Sequence, residues 1–141
     1  MLRKLKSFDL HSKRILIRVD FNVPIVDGVV VDDYRIRKTI PTIKYCIDQG
    51  AKVILMSHLG RPKGKINPDL SLMPTGEKLA ELLEIPIKFS HDCISDDAIN
   101  VSQSLQSGEV HLLENLRFYN EEINNDSQFS INLSKHGEIF I

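Results

Sequence analysis

From Ser57 to Gly64 the chain reads Ser-His-Leu-Gly-Arg-Pro-Lys-Gly, directly after the largely apolar run Ala51-Lys52-Val53-Ile54-Leu55-Met56. A buried strand that ends on a histidine, an arginine and a lysine around two glycines offers cationic groups on a tight turn. Planar guanidinium forks bind phosphate or carboxylate in bidentate fashion, so the chemistry suggested is capture of a small anion. Asp20 and Asn22 end an earlier strand-like stretch, Arg14 to Asp20, and Arg117 follows a later one, Val110 to Leu113. In an open parallel sheet, ligands bind outside the carboxyl ends of the strands, so all these residues are expected along one edge. Short polar side chains beside cationic ones suit an anion that also carries hydroxyl groups.

The loop Gly60-Arg61-Pro62-Lys63-Gly64-Lys65 invites comparison with a nucleotide-binding P-loop, and the comparison fails. Three residues rather than four separate the glycines, Ile66 stands where Ser or Thr would reach magnesium, and Pro62 has no N–H to donate. Lys63 and Lys65 read as solvated.

The elements that must position these groups alternate along the chain. Ile36, Ile40, Ile43 and Ile47 form a helical stripe that Gly50 stops, with Pro41 inside it, so that helix begins near Pro41 or is kinked there. Ser71 reads as the N-cap of a helix carrying Leu79, Leu82 and Leu83. Ala98, Val101, Ser102 and Leu105 mark a weaker helix that ends before Gly108. Asn124-Asn125-Asp126-Ser127 is a turn and cap signal for a last helix with Phe129 and Leu133. Strands are expected at 14–20, 51–57, 85–89, 110–114 and 138–141, all parallel. Strand and helix alternation with short loops implies an α/β fold: a three-layer αβα, Rossmann-like parallel sheet with helices on both faces. The last strand breaks off at Ile141, which leads to the expectation of a sheet incomplete at its C-terminus and a chain that is part of a longer protein.

Composition narrows the function classes. A length of 141 residues suits one domain, and 42% hydrophobic with 26% charged residues is ordinary for a globular protein. Net charge is −1, too small for the broad positive field of a nucleic-acid or membrane binder. Basic residues crowd the first eighteen positions but lack the apolar h-region of a signal peptide, and no run is long enough to span a bilayer. A cytoplasmic monomer is expected. Cys46 and Cys93 have no paired spacing and the five histidines no ligand spacing, so no disulfide and no structural metal are expected.

Four stretches, Arg18-Val19-Asp20-Phe21-Asn22-Val23-Pro24, Asp32-Asp33-Tyr34-Arg35-Ile36, Ser57-His58-Leu59-Gly60-Arg61-Pro62 and Leu112-Leu113-Glu114-Asn115-Leu116-Arg117-Phe118-Tyr119, resemble successive blocks of the phosphoglycerate kinase family in order and spacing. The resemblance covers essentially the whole chain. It implies a glycolytic enzyme that moves a phosphoryl group between 1,3-bisphosphoglycerate and MgADP, giving 3-phosphoglycerate and ATP. It also implies two α/β domains that close on a hinge. Residues 1–141 would be most of the amino-terminal, phosphoglycerate-binding domain. The carboxyl-terminal nucleotide domain, with every ligand for Mg2+ and ATP or ADP, would be absent from this chain.

By the same resemblance, Asp20 and Asn22 bind the glycerate hydroxyl and neighbouring oxygens, with Phe21 fixing the loop between them. His58, Arg61 and Arg117 form a basic patch for the non-reacting phosphate, with Leu59 and Gly60 as the loop between the first two. Arg35 faces the reacting carboxyl end and is the catalytic residue. The chain alone is expected to bind 3-phosphoglycerate weakly and to be inactive. The alternative is a non-enzymatic binding module for a small phosphorylated or carboxylated metabolite.

Overall fold

The computed structural model describes residues 2–124 and 126–141. Its centre is a five-stranded parallel sheet built from β1 (Arg14–Arg18), β4 (Lys52–Met56), β5 (Ile87–Ser90), β6 (Val110–Leu113) and β7 (Ile139–Phe140), in the spatial order β5-β6-β4-β1-β7. A small antiparallel hairpin, β2 (Ile25–Val26) with β3 (Val29–Val30), stands apart from it. The helices are α1 (Leu2–Leu5), α2 (Tyr34–Asp48), α3 (Met73–Leu83), α4 (Asp96–Gln103), α5 (Asn120–Ile123) and α6 (Ser127–Ser134).

Alternation along the strands sorts the core into two layers, because successive side chains point to opposite faces. Ile15, Ile17, Val53, Leu55, Val110 and Leu112 pack with Ile36, Ile43 and Cys46 of α2 and with Leu79 and Leu83 of α3. Leu16, Ile54 and Leu113 pack on the other face with Phe129 and Leu133 of α6. Both faces are covered, which is why the strands read as continuous apolar runs rather than as alternating ones. The expected three-layer αβα architecture is the one found.

Several expectations need correction. The strands are shorter than expected: β1 ends at Arg18, β4 spans 52–56, β6 spans 110–113 and β7 only 139–140, while β5 starts at Ile87 because Pro86 has no N–H for the ladder. Of the two readings at Pro41, a helix start or a kink, the start is excluded: α2 runs through Pro41 from Tyr34 to Asp48. Its buried stripe, Ile36, Ile43 and Cys46, outweighs the lost backbone bond. Helix α3 starts one residue later than expected, with Leu72 at the cap position, but Ser71 still does capping work: its Oγ accepts from Met73 N at 3.2 Å and donates to Glu114 Oε2 at 2.7 Å, while the Glu114 carboxylate accepts from Leu72 N at 2.8 Å. A carboxylate from beyond β6 therefore satisfies the helix terminus, where negative charge is favoured. In the last cap signal Asn125 lies outside the described residues, and Asp126 accepts from Phe129 N at 2.9 Å as the cap of α6.

Candidate functional site

Three chain segments meet at the carboxyl edge of the sheet, and hydrogen bonds lock them together. After β1, Phe21 is fully buried and its N–H donates to Ser57 Oγ at 3.0 Å, while Ser57 Oγ donates to the His58 carbonyl at 2.9 Å. After β4, Gly60 N–H donates to Asn22 Oδ1 at 2.9 Å. After β6, Asn115 is the hub: its Oδ1 accepts from Leu59 N at 3.2 Å and Arg117 N at 3.0 Å, and its Nδ2 donates to the carbonyls of Leu59 and Leu70. Ser57 and Asn115 are completely buried. Their polar atoms replace the water that a buried loop backbone would otherwise need. The loops at this edge are thereby held without a ligand.

Glycine is required at Gly60. Its φ is +61°, and a Cβ there would lie 2.8 Å from Leu70 Cδ2. Leucine 59 is buried beneath the turn, so Arg61 and Lys63 project from a fixed base. Lys63 itself has φ +58°, unusual for a residue with a side chain. Gly64 N–H donates to the Arg117 carbonyl at 3.1 Å, which ties this turn to the segment after β6.

A cavity of about 350 Å3 opens between them, lined by Arg61, Lys63, Arg117 and Glu122. Lys63, read from sequence as solvated, stands on the wall of this cavity. His58 is half-buried nearby. Burial lowers its pKa below the ordinary 6.5, and the charges of Arg117 and Arg18 lower it further against the opposing pull of Asp20 and Glu122. The neutral ring is therefore favoured in the free protein, and an added anion would favour the imidazolium.

The remaining residues form a second group. Arg35, on the first turn of α2, donates from Nη1 to the Asn22 carbonyl at 2.7 Å and to Asp20 Oδ1 at 3.3 Å, and Asp20 Oδ1 also accepts from Asn22 N at 3.1 Å. Both charged side chains are half or more exposed. Asp20 and Arg35 line an open depression of about 660 Å3 with Arg18, Tyr34 and Lys38. The site residues expected from sequence thus fall into two clusters, Asp20 with Asn22 and Arg35, and Arg61 with Arg117, joined by the Asn22–Gly60 bond and bordered by His58. The positioning roles of Ser57, Glu114 and Asn115 were not foreseen; a polar residue directly after an apolar strand is the signal that marks Ser57 and Glu114, and Asn115 stands one place further on. Lys63 belongs to the cationic turn although it was read as solvated, whereas the placement of Glu122 on the cavity wall carried no local signal.

A doubly covered parallel sheet with a cationic rim at its carboxyl edge defines the class, an α/β domain of Rossmann-like architecture. The family is fixed by comparison. The phosphoglycerate kinase family model matches residues 5–141, and the chain belongs to the phosphoglycerate kinase family. Among curated relatives, the phosphoglycerate kinase of Borrelia duttonii is 49% identical over 140 residues, covering 99% of this chain and 36% of that protein. That of Dictyoglomus turgidum is 50% identical over 137 residues, covering 97% and 34% respectively. Two solved structures share the fold: phosphoglycerate kinase from Pyrococcus horikoshii, with TM-score 0.85, 33% identity and coverage of 96% of this chain and 35% of that one, and the Coxiella burnetii protein, with TM-score 0.84, 32% identity and coverage of 96% and 33%. The chain spans about a third of the length of the curated relatives it matches. Among the described residues no helix is long and apolar enough to cross a membrane.

Proposed function

We propose that residues 1–141 are most of the phosphoglycerate-binding domain of a glycolytic phosphoglycerate kinase, a cytoplasmic monomer that transfers a phosphoryl group between 1,3-bisphosphoglycerate and ADP. The observation that carries the reading is the cavity lined by Arg61, Lys63 and Arg117 beside His58, on loops already locked to Asn22. Phosphoryl transfer asks a protein chiefly to position anionic reactants and offset charge on the moving group. Arg61, Arg117 and His58 hold the non-reacting phosphate, which bears close to two negative charges at neutral pH. Asp20 and Asn22 take the glycerate hydroxyl and its neighbouring oxygens, with Phe21 below as anchor and Leu59 and Gly60 shaping the turn. Arg35 faces the reacting carboxyl end. Its guanidinium, held by the Asn22 carbonyl and Asp20, stands ready to exchange part of that contact for the charge that develops in the transition state.

Mg2+ and ATP or ADP belong to the nucleotide side of the reaction. The residues at hand do not fit them: among the described residues no three His, Cys, Asp or Glu side chains gather where a metal could be held, and the Gly60–Lys65 loop lacks P-loop spacing. No step in this chain is therefore assigned to them, and the carboxyl-terminal domain of the same protein is the partner the reading requires. One domain cannot close on itself to exclude water, so the chain alone is inactive and binds 3-phosphoglycerate weakly.

The test is isothermal titration with 3-phosphoglycerate and, separately, with glycerate. Binding of the first but not the second, weakening as salt is raised, is the expected result. Equal binding of both, or of neither, refutes the assignment. Turnover by the chain alone in a coupled assay, above that of Arg35→Ala, would refute its inactivity.

A further inference from the structure

The basic cavity contains one carboxylate, and its position supports an inference that rests on the phosphate-binding reading and goes beyond it. Glu122, on α5, lines the cavity together with Arg61, Lys63 and Arg117. Its side chain is only 17% exposed, and Oε1 accepts from Arg18 Nη1 at 2.8 Å. The same side chain borders an adjoining depression with Leu16, Arg18, Met56, Leu133 and Phe140. Glu122 is therefore the wall between the two. Helix α5 also carries Asn120, whose side-chain amide fills the space where a Cβ on Gly64 would have to go. The turn that holds the carboxylate thus buttresses the loop that holds Lys63.

A carboxylate in an anion site works against the ligand unless it does something else there. Arg18 lies at the end of β1, and its charge reaches His58, as does that of Glu122. As long as Glu122 holds Arg18, one cation of this edge is neutralised and one negative charge faces the incoming phosphate. We propose that Glu122 is a specificity-determining residue that acts as an internal anion: it holds Arg18, which lines the two neighbouring depressions, sets its own charge against the ligand phosphate, and so lowers the affinity of the cavity for dianions. Its use is release. A site whose job is to hand on a product gains nothing from holding a phosphate too tightly, and departure of the ligand is assisted by a carboxylate whose charge opposes it.

A merely structural ion pair between β1 and α5 predicts something different. Removing the Glu122 charge would then cost stability and leave anion affinity untouched. The experiment compares the chain with Glu122→Gln, which keeps the shape and an acceptor for Arg18 but not the charge, using 3-phosphoglycerate and, separately, inorganic phosphate as probes in isothermal titration. The Gln variant is expected to bind about threefold to tenfold more tightly at low salt, the size of a unit-charge repulsion at several ångströms in a well-solvated cavity. The gap narrows as salt is added, and it shrinks when pH falls below the second phosphate pKa of about 6, where the ligand becomes monoanionic. Equal or weaker binding by Glu122→Gln overturns the proposal. If the unaltered chain binds neither probe, the phosphate-binding reading fails, and a ligand-free readout still judges Glu122. NMR titration of His58 must then show a lower pKa in Glu122→Gln, and an unchanged pKa would mean that the carboxylate does not act on the cavity.

Discussion

Two places in this molecule use histidine, and they do opposite things with it. At the rim His58 is half-buried, under the opposing charges of Arg117 and Arg18 and of Asp20 and Glu122. Behind the sheet, under α4 and α6, His111 and His136 are wholly buried and joined through Ser102 Oγ, at 2.8 Å from His111 Nδ1 and 2.6 Å from His136 Nδ1. The outer nitrogens are also engaged, His111 Nε2 with Ser90 Oγ at 2.7 Å and His136 Nε2 with the Cys93 carbonyl at 2.6 Å. A carbonyl can only accept, so His136 donates from Nε2 and its Nδ1 accepts the Ser102 proton. Ser102 Oγ then accepts from His111 Nδ1, and Ser90 donates to His111 Nε2. The chain of bonds has one direction and leaves no polar atom over. A closed network of this kind stabilises and does no chemistry, whereas the open charges at the rim are what a ligand can complete.

Acid should separate the two sites most strongly. Burial pushes the His111 pKa from 6.5 down to about 4, with the charges of His136 and Lys88 adding to the effect, and burial lowers that of His136 too despite its bond to the Cys93 carbonyl and the nearby Asp92. Between pH 6.5 and 4 the unfolded chain binds the proton that folded His111 refuses, so this contribution is intact above 6.5 and is lost as pH falls toward 4. From His111 alone the loss is about 3 kcal/mol. Denaturant unfolding followed from pH 8 to pH 4 should show stability declining with a slope that begins near 6.5. A flat profile would mean the network tolerates charge.

The rim should respond in binding and not in folding. Arg61→Ala or Arg117→Ala should each weaken 3-phosphoglycerate binding by about 1.5 to 3 kcal/mol, the range for hydrogen bonds to charged groups, while leaving the unfolding midpoint nearly unchanged. Ser102→Ala should do the reverse, lowering stability by about 1 to 3 kcal/mol because both histidines lose a buried partner, with no change in ligand affinity. The smallest effect is that of Lys63→Ala, about 0.2 to 1 kcal/mol in affinity, typical of an exposed ion pair, and it should vanish at high salt. Titration calorimetry and denaturation on the same four variants place each residue on one side of the comparison or the other.

How much of this was readable follows from the same contrast. The parallel sheet was legible because the strands are buried on both faces and the helical stripes between them are regular. The hairpin Ile25–Val30 escaped, although Asp27-Gly28, both at positive φ, is a strong turn signal between apolar pairs; strands of two residues leave too little periodicity to register. At the start of α3 Ser71 was legible as a cap, whereas the second acceptor, Glu114, escaped because it comes from beyond β6. At the rim, the cationic and short polar residues were legible because their types alone name a chemistry, and the strand ends put them on one edge. Glu122 was not, since it pairs with a residue 104 positions earlier. Ser102 was placed only on a helical stripe, and nothing in its sequence context couples it to His111 and His136. Distance in the chain hides pairings that only the fold creates.

Where the ligand sits decides most directly whether this edge is a phosphate site. Amide shifts of the labelled chain should be followed by NMR as 3-phosphoglycerate is added, after circular dichroism has established that each variant is folded. The expected perturbations fall on Asp20 to Asn22, His58 to Arg61 and Arg117, at the carboxyl edge of the sheet, and are lost in the Arg61→Ala, Arg117→Ala double variant. Perturbations confined to the opposite edge, or an affinity unchanged in the double variant, would contradict that assignment and reduce the Ser57–Pro62 loop to a turn.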